Sequence, residues 1–344
     1  MTQPGALKVR VVEVVRETAE AHSLVLEPAE GDRFSYLPGQ FLTVRIPAAE
    51  GDGGAAARCY SLASSPLCGE PPKVTVKRTE GGYGSNWICD NVSEGDVLEV
   101  LRPSGTFTPD SLHGDLLLFA GGSGITPIMS ILKSFLHAGS GEVTLAYANR
   151  DEASVIFRDE LTGLAQEYGD RLTVVHWLES LQGRPTAAAV RTLARQHTDR
   201  QAFVCGPERF MAFLDEELTG LGMPPGHVHV ERFFSLTADP FAGPAEPVDS
   251  SGPTSTVEVE LDGQEQTLSW PRRSRLLDVL LDAGLDAPYS CREGACSACA
   301  CVVLDGEVEM ERNEVLDQQD LADGIVLACQ SVPVSDRLRI TYDG

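Results

Sequence analysis

The sequence predicts three domains in series: an antiparallel β-barrel, a doubly wound α/β domain with a parallel sheet, and a small α+β domain. Three observations lead there. At 344 residues the chain can fill two or three cores of ordinary size, and 42% hydrophobic content is normal for a globular protein. The rhythm of the chain changes once, near residue 112, from short alternating runs to alternating strands and helices. A stretch with four prolines at 239–254, DPFAGPAEPVDSSGPT, offers little that could pack and reads as an extended linker. The expected boundaries are therefore 1–111, 112–238 and 255–344, with the linker at 239–254.

In the first domain the runs KVRVVEVV from Lys8, SLVLEP from Ser23, FLTVRIP from Phe41, KVTVKR from Lys73 and DVLEVL from Asp96 alternate or are β-branched. Glycine- and proline-rich turns separate them, the pattern of an antiparallel barrel or sandwich. A helix, SNWICDNV, is expected to start at Ser85, a good N-cap residue.

From Asp115 strands and helices alternate. DLLLFA suits a buried parallel strand and leads through a glycine-rich turn into the helix ITPIMSILKSFLHAG. EVTLAYA, LTVVHWL, AFVCG and HVHVERFF read as further strands, with helices at 157–168, 186–196 and 208–221 between them. This alternation specifies a doubly wound sheet. The tail opens with the strands TVEVEL and EQTLSW, then a helix, SRLLDVLLDAG, with Ser274 as its expected cap. A cysteine-rich loop and more short strands complete it.

The formal charge of −24 argues against nucleic acid and anionic membranes as partners. The tail from residue 254 holds 18 acidic and 7 basic residues, nearly half of the excess. It is a solvated acidic face or a docking surface for a basic partner. The opening MTQPGALKVRVVEVV lacks a basic leader with an apolar run behind it, and no apolar run reaches about 18 residues. A cytoplasmic location is expected by default.

Nine cysteines without an export signal are not expected to form disulfides. Cys291, Cys296 and Cys299 give C-x4-C-x2-C, and 29 residues separate Cys299 from Cys329. That is the plant-type [2Fe-2S] spacing. Thiolates are soft ligands suited to iron–sulfur clusters, and Gly294, Ala295, Ser297 and Ala298 let backbone amides approach the sulfurs. Zinc, the alternative, favours two short-spaced pairs, and Cys329 has no close cysteine partner. Cys301 opens the apolar run CVVL and is expected to pack as a buried thiol beside the cluster.

RCYSLASSP at 58–66 is moderately specific alone, because an ordinary strand could carry it. Its weight comes from GGYGSNWI at 81–88. Glycines leading into a helix make a phosphate site of free amides at the positive helix end, and Arg58 would complete a pyrophosphate clamp for a flavin nucleotide. AGGSGITPIMSI at 120–131 lies between strand and helix, as a dinucleotide loop requires, although Pro127 stands where the usual fingerprint has its third glycine. Cys205 and Gly206 end a strand at the carboxyl edge of the sheet, where ligands of such sheets bind.

With these residues in view, the chain resembles the ferredoxin–NADP reductase-type flavoproteins that carry a C-terminal plant-type ferredoxin domain, over essentially its whole length. The strings RCYSLASSP, VKRTEGGYGSNWICDN, PSGTF, GGSGITPIMSILKS, YANRDEASVIF, VVHWLES, DVLLDAGLDAPYSC and LACQS are most similar to the oxygenase reductases of that family. The resemblance implies a β-grasp-like tail and roles for particular residues. Arg58 would hold the FAD pyrophosphate, Tyr60 would lie against the isoalloxazine, and Ser61 would approach flavin N5. Gly82, Ser85 and neighbouring amides would finish the pyrophosphate site, with Leu62, Val76, Lys77, Gly81 and Asn86 as further FAD contacts.

Gly122, Ser123, Gly124 and Thr126 would cradle the nicotinamide nucleotide, and Thr126 and Cys205, with Gly206, would flank its ring. Glu231 and Phe233 match the family's acidic residue and flavin-covering aromatic, Phe234 competing for the latter place. Phe233 is expected to move aside when nicotinamide stacks on the flavin. Ser61, Cys205, Glu231 and Phe233 form the implied catalytic set. Asn149 and Arg150 fall where the adenosine ribose is read; Arg150 would suit NADPH and the adjacent Asp151 NADH, with relatives leaning to NADH.

The implied activity takes hydride from NADH or NADPH onto FAD and passes single electrons to the cluster, the cofactors supplying the redox chemistry. A terminal oxygenase, met through the acidic ferredoxin domain, would receive them. A Rieske oxygenase acting on a steroid is the first expectation, and a di-iron oxygenase or desaturase such as the phenylacetyl-CoA system the second. A redox-sensing adaptor is the alternative from another class, and the intact hydride-transfer machinery argues against it.

Overall fold

The computed structural model describes residues 6–29, 35–47, 56–224, 226–236, 239–242, 252–316 and 318–343. Strands β1 (Ala6–Arg16), β2 (Ala21–Pro28), β3 (Phe41–Ile46), β4 (Ala56–Ser61) and β5 (Lys73–Lys77) precede helix α1 (Tyr83–Asn91) and β6 (Val97–Leu101). They form one antiparallel sheet in the order β4-β3-β6-β1-β2-β5. A bridge from Leu62 to Val74 joins the end of β4 to β5 and closes the barrel. Because side chains alternate along a strand, Leu42, Val44 and Ile46 of β3 enter the barrel core while Phe41 packs outside it, with the core of the tail.

Two sequence expectations fail here. Helix α1 starts at Tyr83, not Ser85, with Gly82 as its uncapped N-cap; Ser85 Oγ instead accepts from the Thr79 amide at 3.0 Å. In the tail, Arg275 and not Ser274 holds the N-cap position. A serine near a helix start can bond a turn amide as readily as its own helix. Strand β4 was not among the expected strands. Its mixture, AARCYS, lacks alternation in polarity because both of its faces are covered.

The second sheet is built from β7 (Leu116–Gly121), α2 (Ile125–Ala138), β8 (Val143–Asn149), α3 (Arg158–Glu167), β9 (Leu172–Leu178), α4 (Glu179–Gln182), α5 (Ala187–Ala194), β10 (Gln201–Cys205), α6 (Glu208–Gly220) and β11 (Val228–Glu231). Its order is β11-β10-β7-β8-β9, all parallel, so the direction of winding reverses between β7 and β10. Ligands of such sheets bind outside the carboxyl ends at that reversal. Short α4 was not anticipated from the sequence.

Helix α2 is held to the barrel by buried polar contacts. Lys133, 6% exposed, meets Glu70 at 2.7 Å and Glu160 at 2.8 Å, and Lys73 of β5 reaches Glu160 at 2.9 Å. Ser65 and Ser134 hydroxyls lie 2.8 Å apart. A buried lysine shared between two carboxylates fixes orientation more than it adds stability.

The tail comprises β12 (Thr254–Leu261), β13 (Gln264–Pro271), α7 (Leu276–Asp282), β14 (Ala300–Asp305), β15 (Val308–Met310), α8 (Gln318–Ala322), β16 (Ile325–Leu327), β17 (Ser331–Pro333) and β18 (Arg337–Thr341). The mixed sheet runs β13-β12-β18-β14-β16, with β12 and β18 parallel at its centre. Leu276, Leu277 and Leu280 of α7 pack in one core with Val257, Val259, Leu338 and Ile340. Phe41, Ala57 and Leu101 of the barrel join this same core, so the tail is seated on the outer face of β3, β4 and β6.

The proline-rich stretch departs from expectation. Residues 243–251 lie outside the described residues. Phe241, however, is 4% exposed within the tail-and-barrel core, and the Arg45 guanidinium lies 5.5 Å from its ring centroid. The segment therefore packs at its start. Phe241→Ala is expected to cost about 3 kcal/mol, as other buried phenylalanines do, measured as a lowered urea midpoint.

Candidate functional site

A cleft of about 200 Å³ opens between β4, β5, the start of α1 and the carboxyl edge of the parallel sheet. Arg58, Tyr60 and Ser61 form one wall, Lys77 and Ser85 another, and Ser123, Thr126 and Phe233 close it from the nucleotide side. Thr75, Thr79, Tyr83, Phe234 and Ser235 also line it. Of these only Phe234 was anticipated. Arg58 is steadied by donating to the carbonyls of Ala57 at 2.7 Å and Leu236 at 3.4 Å, which presents its remaining donors to the cleft.

The cleft fits a diphosphate. Helix α1 begins at its rim with no side-chain cap and no acidic residue in the first turn, so its free amides and positive end are unopposed. Some expected cofactor contacts lie elsewhere. Leu62 and Val76 are fully buried in the barrel core. Asn86 donates to the carbonyls of Thr79 and Gly82, and so braces the glycine turn with Gly81. Burial pushes the Tyr60 phenol well above its ordinary range, keeping it neutral.

The turn Gly122–Gly124 is a short 3-10 segment running into α2, again with no capping side chain and no first-turn acid. Tyr147 OH donates to the Gly122 carbonyl at 3.0 Å, and Thr126 Oγ1 to that of Ser123 at 3.1 Å. A side chain at Gly124 would fall on the Cys205 carbonyl and the Gly206 amide, so this turn lies directly against the end of β10. Cys205 pairs across the sheet with Glu231, and its thiol is buried.

A second, smaller cavity holds Glu231 with Ser61, Cys59, Phe41, Phe233 and Phe234. Burial pushes the Glu231 carboxyl up to about 8. Phe233 is 49% exposed at the mouth of both cavities. The ribose readers are placed differently from expectation. Asn149 is buried, close to the Tyr147 hydroxyl, with both amide atoms outside hydrogen-bond geometry. Arg150 is paired with Glu20 of the barrel at 2.6 Å, and Asp151 accepts from the Ser154 amide at 2.9 Å.

The four expected ligand cysteines converge. Cys291, Cys296, Cys299 and Cys329 are each 6% exposed or less. Amides of Glu293 and Ala295 donate to Cys291 Sγ at 3.3 and 3.4 Å, that of Cys291 to Cys296 Sγ at 3.4 Å, and that of Cys329 to Cys299 Sγ at 3.4 Å. A sheltered set of thiolate sulfurs ringed by amide donors fits a [2Fe-2S] cluster. The loop is held tightly: Gly294 has φ +76°, and a side chain there would meet the Arg312 carbonyl at 2.7 Å. Cys301 stands apart, its thiol donating to the Val326 carbonyl at 3.9 Å in the sheet.

A flavin-nucleotide cleft, a doubly wound sheet with its crevice opening on that cleft, and a four-cysteine loop define a flavin and iron–sulfur oxidoreductase. Residues 7–108 match the oxidoreductase FAD-binding domain family, 118–216 the oxidoreductase NAD-binding domain family, and 259–334 the 2Fe-2S iron-sulfur cluster binding domain family. The chain is 55% identical over 335 residues to the 3-ketosteroid-9-alpha-monooxygenase, ferredoxin reductase component, of Rhodococcus rhodochrous, covering 96% of this chain and 95% of that one. It is 34% identical to a component of the 1,2-phenylacetyl-CoA epoxidase of Escherichia coli (strain K12), with 97% and 96% covered. Phthalate dioxygenase reductase superposes with a TM-score of 0.60 at 26% identity, covering 99% of this chain and all of that one. The chain belongs to the family of ferredoxin reductase components of multicomponent oxygenases, and its cofactors are FAD, a nicotinamide nucleotide and a [2Fe-2S] cluster. No helix among the described residues is long and apolar enough to cross a membrane.

The packing at these two places has measurable consequences. Gly124→Ala separates the turn from β10 and is expected to raise KM for NADH at least about tenfold, the cost of a displaced binding element, while FAD content stays unchanged. Glu231 holds a proton in the folded protein that the unfolded chain has released between about pH 4.5 and 8. The native state binds more protons there, so in the protein freed of FAD stability falls as pH rises across that window and levels above it. Glu231→Gln is expected to flatten that slope in urea denaturation at pH 5 and pH 8.

Proposed function

We propose that this chain is the reductase component of a 3-ketosteroid 9α-monooxygenase, drawing electrons from NADH for a terminal Rieske-type oxygenase. The observation that carries this reading is the near-complete alignment at 55% identity with a reductase so named, well above the 34% shared with the phenylacetyl-CoA epoxidase component. The domain division 1–111, 112–238 and 255–344 accompanies it.

Arg58 and the amides of α1 bind the FAD diphosphate, and Tyr60 and Ser61 orient the isoalloxazine. FAD, when bound, supplies the conversion of a two-electron hydride into single electrons. Thr126 and Cys205 position the nicotinamide over it, the Gly122–Gly124 turn binds the nucleotide's phosphates, and Phe233 shelters the cleft from water until the nucleotide enters. Glu231, kept protonated by burial, holds a proton behind Ser61. The Glu20 pairing of Arg150 takes that guanidinium away from a 2′-phosphate, which supports NADH over NADPH. The acidic tail meets a basic surface of the oxygenase, and the protein works in the cytoplasm.

Reconstitution tests this reading. With a steroid-hydroxylating Rieske oxygenase and a 3-ketosteroid, NADH-dependent formation of the 9α-hydroxylated product is expected. Failure there, with turnover when the epoxidase's catalytic components are supplied instead, would replace it. Arg58→Ala is expected to lose most bound FAD, as removal of a charge-assisted diphosphate contact costs about 2–3 kcal/mol, while cluster absorbance remains.

A further inference from the structure

The cluster loop meets the barrel through hydroxyl groups on both sides. Thr43 of β3, 1% exposed, lies with its Oγ1 2.6 Å from Ser290 Oγ, and Ser290 is likewise 1% exposed. These residues are 247 positions apart in the chain. Cys59 is the cross-strand partner of Thr43, and its thiol reaches Thr43 Oγ1 at 3.5 Å and Ser290 Oγ at 3.8 Å. Ser290 immediately precedes the ligand Cys291. On the other flank Thr106 Oγ1 is 3.0 Å from Ser297 Oγ, one residue after the ligand Cys296. The loop is thus pinned to the barrel beside its first two ligands.

The same strand forms the flavin cleft. Arg58, Tyr60 and Ser61 line it on either side of Cys59, which itself borders both cavities. Apolar contacts around Phe41 and Ala57 would seat the tail without any hydroxyl pair. Burying two hydroxyls costs free energy unless they satisfy each other. What the pair adds is a fixed distance and register, which apolar packing does not impose.

We infer that the Thr43–Ser290 hydrogen bond, with Cys59 packed on it, is the positioning contact that sets the spacing of flavin and cluster and so the rate of electron passage between them. This rests on the proposed seat of FAD in the cleft. Per NADH oxidised, two electrons cross the contact singly and no atom does. NADH loses two electrons, the cluster takes one at a time and hands each to the terminal oxygenase before the next arrives, and the hydride's proton is released on the flavin side.

Full-length holoprotein carrying Thr43→Val, Thr43→Ser or Ser290→Ala, mixed anaerobically with NADH, tests the inference. Flavin bleaching is followed by stopped flow and cluster reduction by freeze-quench EPR. Thr43→Val is expected to leave flavin bleaching and both midpoint potentials unchanged. It should slow cluster reduction about tenfold, because the loop loses its fixed register on the barrel while the tail stays seated. Thr43→Ser restores the rate, and the Thr43→Val/Ser290→Ala double variant is no slower than either single one. Wild-type cluster reduction in Thr43→Val overturns the inference, and so does a slowing matched by a shifted cluster potential. Should Thr43→Val not fold, wild-type cluster reduction in Ser290→Ala overturns it equally. Failure of the cleft reading shows separately, as FAD retained by Arg58→Ala.

Discussion

Successive side chains of a β-strand point to opposite faces, and this molecule depends on β4 using both. Ala56 and Tyr60 join the barrel core, while Ala57 and Cys59 pack with the core of the tail. Arg58, Tyr60 and Ser61 also line the large cleft. One six-residue strand therefore bears on the barrel core, the proposed flavin seat and the cluster loop together. A one-residue slip in its pairing with β3 would exchange all of these neighbours. The closure by Leu62 and Val74, and the buried lysine that fastens α2, act to prevent such a slip and to keep the carboxyl edge of the second sheet facing the cleft.

Electrostatics divide the surface from the site. A chain with a formal charge of −24 keeps Arg58 and Lys77 at the cleft, beside two helix starts that carry no first-turn acid. Excess acid elsewhere leaves these as local positive features in an otherwise negative protein, suited to anionic nucleotides. At the cysteine loop the donors to the sulfurs are amides, four from the backbone and one from the Gln330 side chain, so the local field owes most to backbone geometry.

What could be read from the sequence was whatever depends on short-range pattern. DLLLFA and AFVCG read as buried parallel strands, and the cysteine spacing as a cluster loop, because period and spacing are local properties. The helix starts were misplaced at Ser85 and Ser274, since the N-cap positions fall on Gly82 and Arg275 and a nearby serine leaves a false signal. AARCYS did not read as a strand, because covering both faces removes the polar alternation that marks one. Phe241 looked like linker because only a partner distant in sequence, the barrel-and-tail core, makes it buried. Leu62 and Val76 were implied as cofactor contacts, whereas their side chains fill the barrel. The meeting of Thr43 with Ser290 has no sequence signal at all, being a product of domain docking.

The proposed flavin seat and the cluster loop both bear on β4, so that electrons would pass from one to the other within a single chain. Anaerobic titration with NADH, followed by visible absorbance and low-temperature EPR over a range of protein concentrations, tests it most directly. Flavin bleaching is expected to be followed by a rhombic [2Fe-2S] signal, appearing at a first-order rate that does not change on dilution. Bleaching without that signal, or a rate that falls in proportion to protein concentration, would contradict it.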